Sequence, residues 1–192
     1  RKKIKKITKN PFKNYIYFYS NEPDHIEHKY GTDSKEERHV LKKLDKEFQK
    51  MCTSLKDTLV LGISDHGHLN CDYITLSDYP EIVKMLDENI SIDNRACSFR
   101  VKKEYLAVFP KKIKEVLKED FILMSKDEII EKKLYGYGKE NKYYRDGLGD
   151  YFAIGIGNKA IRYDENTKKH KSSHSGLTDE EMLVPLILYR SK

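Results

Sequence analysis

At 192 residues the chain has the length of one domain, or a large piece of one, and can bury a core. With 38% hydrophobic and 35% charged residues it is no disordered polymer, and no apolar run nears the ~20 residues that cross a bilayer. The net charge of +6 argues against a nucleic-acid partner once its distribution is seen: seven Lys/Arg and no acid occupy residues 1–13, leaving 30 basic against 31 acidic residues elsewhere.

In chain order, residues 1–13 read as a basic, disordered head or linker, and the domain proper runs over 14–192. Tyr15-Ile16-Tyr17-Phe18-Tyr19 predicts a buried strand, aromatic and β-branched throughout. Ser34-x-x-Glu37 is a capping box, and Val40, Leu41, Leu44, Phe48, Met51 and Leu55 then follow at helical spacing. Thr58 to Ile63 is apolar on both faces, as in a central parallel strand covered by helices, and strand, helix and strand in series predict an α/β fold. That strand runs into Ser64-Asp65-His66-Gly67-His68, and open α/β sheets place their ligands beyond such carboxyl ends.

Residues 79–140 change texture and read as a small inserted α+β subdomain. Pro80 suits the first helical position, Ala96 to Val101 alternates like a half-exposed strand, and Ser125-x-x-Glu128 opens a short helix that Gly136 and Gly138 end. Asp150 to Tyr163 predicts a hairpin turning at Gly157-Asn158. Thr178-x-x-Glu181 caps a last helical turn, and Leu183 to Tyr189 closes as a strand. Cys52, Cys71 and Cys97 form no CxxC pair, which argues against a disulfide framework or thiolate zinc and points to a reducing, cytoplasmic compartment. A signal peptide upstream of Arg1 would lie outside this sequence.

Three segments pair carboxylate with imidazole. Asp24 and His28 are four apart, so one helical turn puts both on one face, aimed at a divalent ion. Asp65 and His66 are adjacent and can reach one ion only where the strand breaks, which Gly67 permits. His174 lies in a Ser/Gly loop. Each segment alone is as well explained by a solvated turn. Jointly they supply oxygen and nitrogen ligands without thiolate, a set suited to hydrolytic metals. His25, His39 and His170 have no partner pattern and are expected in solvent. Tyr135, Tyr137, Tyr143 and Tyr144 could stack on a nucleobase or simply pack at a subdomain boundary.

The runs YIYFYSNEPDHIEHKYG, TLVLGISDHGH and HSGLTDEEMLVPLIL resemble the type I phosphodiesterase/nucleotide pyrophosphatase family of the alkaline phosphatase superfamily, and Arg95-Ala96 and Gly149-Asp150-Tyr151 also look like it. The resemblance implies a three-layer α/β domain, a mixed sheet with helices on both faces, of which this chain is the incomplete C-terminal part. It implies two divalent metal ions, Zn²⁺ with Mn²⁺ as the alternative: Asp24, His28 and His174 hold one, while Asp65 and His66 contribute to the other. His68 is either a contact to substrate phosphate or a residue behind the ligands. A further aspartate and a Thr or Ser nucleophile are expected upstream, so this segment carries no nucleophile and is expected to be inactive alone. The implied activity is hydrolysis of a phosphate ester or nucleotide through a covalent phosphoenzyme. The alternative is a non-catalytic binding module of the same fold, a scaffold or one whose basic head docks on nucleic acid.

Overall fold

A computed structural model describes residues 2–191. The basic head, expected to lack order, forms a short helix, α1 (Lys2–Ile7), with no buried residue. Tyr15 to Tyr19 is not a strand: Tyr15, Tyr17, Phe18 and Tyr19 are 59% to 92% exposed. Strand propensity measures fit beside a neighbouring strand, and no described strand lies alongside this segment. Two helices follow, α2 (Asp24–Tyr30) and α3 (Lys35–Cys52). The predicted cap starts α3, with Ser34 Oγ accepting from Glu37 N–H at 3.1 Å.

Strand β1 (Leu59–Ile63) differs from its prediction. Among the described residues it pairs only with β10 (Leu186–Arg190), and antiparallel, with Leu61 opposite Leu188. One face of this ribbon rests on α3, where the Phe48 ring fills the space that a side chain at Gly62 would need. Leu59, Leu61 and Ile63, on the other face, are 59% to 70% exposed.

Two further pairs follow: β2 (Leu69–Asn70) antiparallel to β9 (Ser172–Ser173), and β3 (Asp72–Thr75) parallel to β8 (Lys159–Arg162). Pro80 opens α4 (Pro80–Met85) as the sequence predicts. The largest sheet runs β4 (Ser91–Ile92), β5 (Ala96–Phe99), β7 (Tyr151–Gly155), β6 (Phe121–Ser125) in that spatial order, antiparallel throughout. It takes three strands from residues 79–140 and β7 from beyond them. Helix α5 (Phe109–Leu117) buries Phe109, Ile113, Val116 and Leu117, an i, i+4, i+7, i+8 stripe, in a core shared with Phe99, Ile82, Leu76 and Ile161. Strand β5, expected half exposed, is covered on both faces. Helix α6 (Lys126–Glu131) carries the predicted reciprocal capping box at Ser125 and Glu128, α7 (Tyr144–Gly147) is one turn, and α8 (Asp179–Met182) is capped by Thr178 and Glu181.

The expected hairpin over Asp150–Tyr163 does not form. Both edges of β7 are taken, by β5 and β6, so β8 leaves the sheet and pairs with β3 instead. No described helix is long and apolar enough to cross a membrane, and all three cysteines are free thiols.

Candidate metal centre

Helix α2 sets Asp24 and His28 on one face, with His28 Nε2 3.3 Å from Asp24 Oδ1. The β2–β9 ladder brings in the distant residues. Leu69 lies opposite Ser173, so the next position of each strand holds His68 and His174. Their Nε2 atoms stand 2.9 Å and 3.7 Å from the same Asp24 Oδ1. One ligand atom from each of Asp24, His28, His68 and His174 lies within 4.8 Å of the other three. Beyond β1 the chain breaks at Ser64. Asp65 follows with its side chain 66% exposed, and the His66 ring stacks on His174 with centroids 3.8 Å apart. Asp24, His28 and His174 therefore converge, while Asp65 and His66 flank them, 3.8 Å from each other.

The fit to a cation is decided by where the imidazole protons sit. His28 Nδ1 is 2.9 Å from the Ser172 carbonyl oxygen, which can only accept, so the ring proton is on Nδ1 and the Nε2 lone pair faces Asp24. Ser175 Oγ donates to Asp93 Oδ2 at 3.2 Å and so accepts from His174 Nδ1 at 3.0 Å, which turns a second Nε2 lone pair toward the carboxylate. Lone pairs of one carboxylate and two imidazoles aimed at one point, their tautomers fixed by outer oxygens, are a donor set for a divalent ion.

Residues 1–176 match the sequence profile of the type I phosphodiesterase / nucleotide pyrophosphatase family. The chain belongs to that family. Two solved structures share the fold of this family member at 16% sequence identity. An inactive variant of murine ectonucleotide pyrophosphatase/phosphodiesterase 5 in complex with AMP matches 88% of the chain and 45% of its own at a TM-score of 0.65. Phosphonoacetate hydrolase from Sinorhizobium meliloti 1021, in complex with phosphonoacetate, matches 88% and 44% at 0.62. This phosphodiesterase-family chain thus spans about 45% of the length of the solved structure matched at 0.65. No curated protein matches it in sequence.

Burial sets the electrostatics of the centre. It holds His68, whose side chain is 3% exposed, down to about 4, and it pushes His174 and His170 below the ordinary imidazole range. Glu27, whose Oε2 is 3.6 Å from His68 Nε2, is pushed up to about 7 by burial and by Glu37 beside it.

Two features escape the sequence reading. His170, expected in solvent, is half-buried with its ring 4.4 Å from that of His28, in a cavity of about 350 Å³ also lined by Asp93, Asn94, Thr167, Lys168 and His174. Its only signal is that His170 and His174 repeat the four-residue spacing of Asp24 and His28. The second feature is a buried ion pair. Arg95 Nε and Nη2 donate to Glu181 Oε1 and Oε2, both at 2.6 Å, and Glu181 Oε1 also accepts from Gly176 N–H at 2.8 Å. The Glu181 carbonyl accepts from Gly67 N–H at 2.8 Å, where a Cβ on residue 67 would collide with the Glu180 carbonyl. The loops of His66 and His174 are thus tied together from behind. The sequence shows Glu181 only as a cap. The tyrosines near residue 140 do not line the cavity, and Tyr135 packs edge-on against Tyr144.

Proposed function

We propose that this chain is the C-terminal part of a two-metal hydrolase of phosphodiesters or nucleotide pyrophosphates, with Asp24, His28 and His174 holding one ion and Asp65 and His66 contributing to a second. The observation that carries the reading is the convergence of His28 and His174 lone pairs on the Asp24 carboxylate, with each Nδ1 proton committed to an outer oxygen. Carboxylate and imidazole without thiolate suit Zn²⁺, and Mn²⁺ as a second choice. Bound there, such ions supply Lewis acidity to a phosphoryl oxygen and lower the pKa of a hydroxyl or water.

The residues of the chain do the holding and orienting. Ser172 and Ser175 keep the imidazoles in the ligating tautomer. The exposed Asp65 carboxylate, next to His66 and one ring away from His174, is free to turn toward a neighbouring ion. The cavity bordered by Lys168 and His170 opens beside His28 and His174, where the non-reacting part of an anionic ester would lie. In this reading the nucleophilic hydroxyl that forms the phosphoenzyme, and a further carboxylate, are supplied from upstream, and this chain alone binds metal without turnover.

Elemental analysis after dialysis against Zn²⁺ tests the proposal. The chain should retain zinc, and Asp24→Ala should lose most of it while keeping its circular dichroism. A metal-free parent, or a variant that holds as much as the parent, overturns the assignment.

A further inference from the structure

The cavity of about 350 Å³ beside His28 and His174 has two walls from different parts of the chain. One is the end of β4 and the turn after it, with Ile92, Asp93 and Asn94, and the other is the loop between β8 and β9, with Lys168 and His170. Its volume lies within the ~300–1,000 Å³ of small-molecule sites.

The walls are fixed to each other by hydrogen bonds behind the cavity. Tyr73 Oη accepts from Asn94 Nδ2 and from His170 N–H, both at 3.1 Å, so one phenol joins the two segments. Ser173 Oγ donates to Asn94 Oδ1 at 2.6 Å, which ties the first wall to β9 and so to His174. Asp164 Oδ1 accepts from the N–H groups of Asn166 at 3.0 Å and Thr167 at 2.9 Å, a turn that sets the loop just ahead of Lys168. Ile92, a β-branched residue, is held at a φ of 77°, and such strain collects at ligand clamps.

The charges on the walls are unequally committed. Both Asp93 oxygens are engaged, Oδ1 by Asn94 N–H at 2.6 Å and Oδ2 by Ser175 Oγ at 3.2 Å. The Lys169 ammonium sits over the Tyr73 ring, 5.5 Å from its centroid. Lys168 lines the cavity and has no hydrogen-bond or ion-pair partner among the described residues. A cation without a counter-charge, beside groups that seat a phosphate, favours a second anionic group on the same ligand.

We propose that Lys168 is a specificity-determining residue, receiving a second oxyanion, carboxylate or phosphate, on the part of the substrate beyond the reacting phosphorus. Resting on the metal reading above, which seats the reacting phosphate at His28 and His174, this selects substrates whose non-reacting part is negatively charged over neutral and cationic esters.

Three small phosphate monoesters test it, because they offer the metal the same phosphate and differ in the second group: phosphoglycolate carries a carboxylate, ethyl phosphate nothing, phosphoethanolamine an ammonium. Calorimetric titration of the zinc-loaded 192-residue chain should show phosphoglycolate binding on the order of 10-fold more tightly than ethyl phosphate, and phosphoethanolamine most weakly. Lys168→Gln should bring phosphoglycolate to the level of ethyl phosphate without moving ethyl phosphate itself, and Lys168→Glu should reverse the order. Lys168 is exposed, so both variants should keep the fold and the zinc. Lys169→Gln, off the cavity wall, should behave as the parent. A zinc-loaded parent that binds the three esters equally, or binds none, overturns the inference and leaves the metal reading standing. So does a Lys168→Gln chain that keeps the preference. A parent that holds no zinc overturns both.

Discussion

Strands β1 and β5 invert the order that hydropathy would give them. β1 reads Leu-Val-Leu-Gly-Ile and leaves alternate residues in solvent, while β5 reads Ala-Cys-Ser-Phe and is almost wholly buried. The difference lies in what surrounds each strand. β5 has β4 and β7 on its edges, with Phe99 packed 5.5 Å from the Phe109 ring. β1 has one partner strand and one helix among the described residues, so three of its four apolar side chains, Leu59, Leu61 and Ile63, stay largely exposed. An apolar run states a capacity for burial, and neighbours decide whether it is used.

Paired truncations sharpen that contrast. Phe109→Ala, in the sheet core, should cost about 3–5 kcal/mol, whereas Leu61→Ala on the open ribbon face should cost under about 1 kcal/mol. Chemical denaturation midpoints compare the two, and equal losses would mean that the ribbon face is covered in solution. Glu181→Ala tests the tie between the regions. It leaves Arg95 buried without its carboxylate, at about 3–5 kcal/mol, and should weaken zinc retention as well, because the His174 loop loses the carboxylate that holds Gly176. Full zinc retention in a destabilised variant would limit the pair to a folding role.

The smallest effect concerns pH. Glu27 titrates at about 7 in the folded chain against an ordinary 4.5, so the folded state binds the proton more tightly than the unfolded state does. Its contribution is complete below about 4.5 and is lost as pH rises through about 7. Metal-free protein should therefore lose melting temperature across that window by an amount worth on the order of 1–3 kcal/mol, and Glu27→Gln should flatten the slope. An unchanged slope would place the titrating group elsewhere.

Local signals were legible and remote ones were not. The capping residues Ser34, Ser125 and Thr178 mark helix starts because a cap is settled within four residues. The Asp24 and His28 spacing is equally local, and the mixed α/β class and the family follow from such segments taken together. The hairpin failed because the fate of β7 depends on strands 30 to 55 residues upstream, which no turn signal at Gly157 encodes. His170 looked solvent-exposed because its neighbour, His28, lies far away in the chain. Arg95 and Glu181 are 86 residues apart, and charge complementarity between such positions leaves no periodicity to read.

Glu181 fastens one loop through its carboxylate and the other through its own carbonyl. A single residue that never reaches the centre thereby acts as a spacer bar between two ligand-bearing segments. Neither segment can swing outward without dragging the other, so the gap between the two groups of donors is set at the rear of the molecule, and any widening of it must break the hydrogen bond of Gly67 or of Gly176 to Glu181.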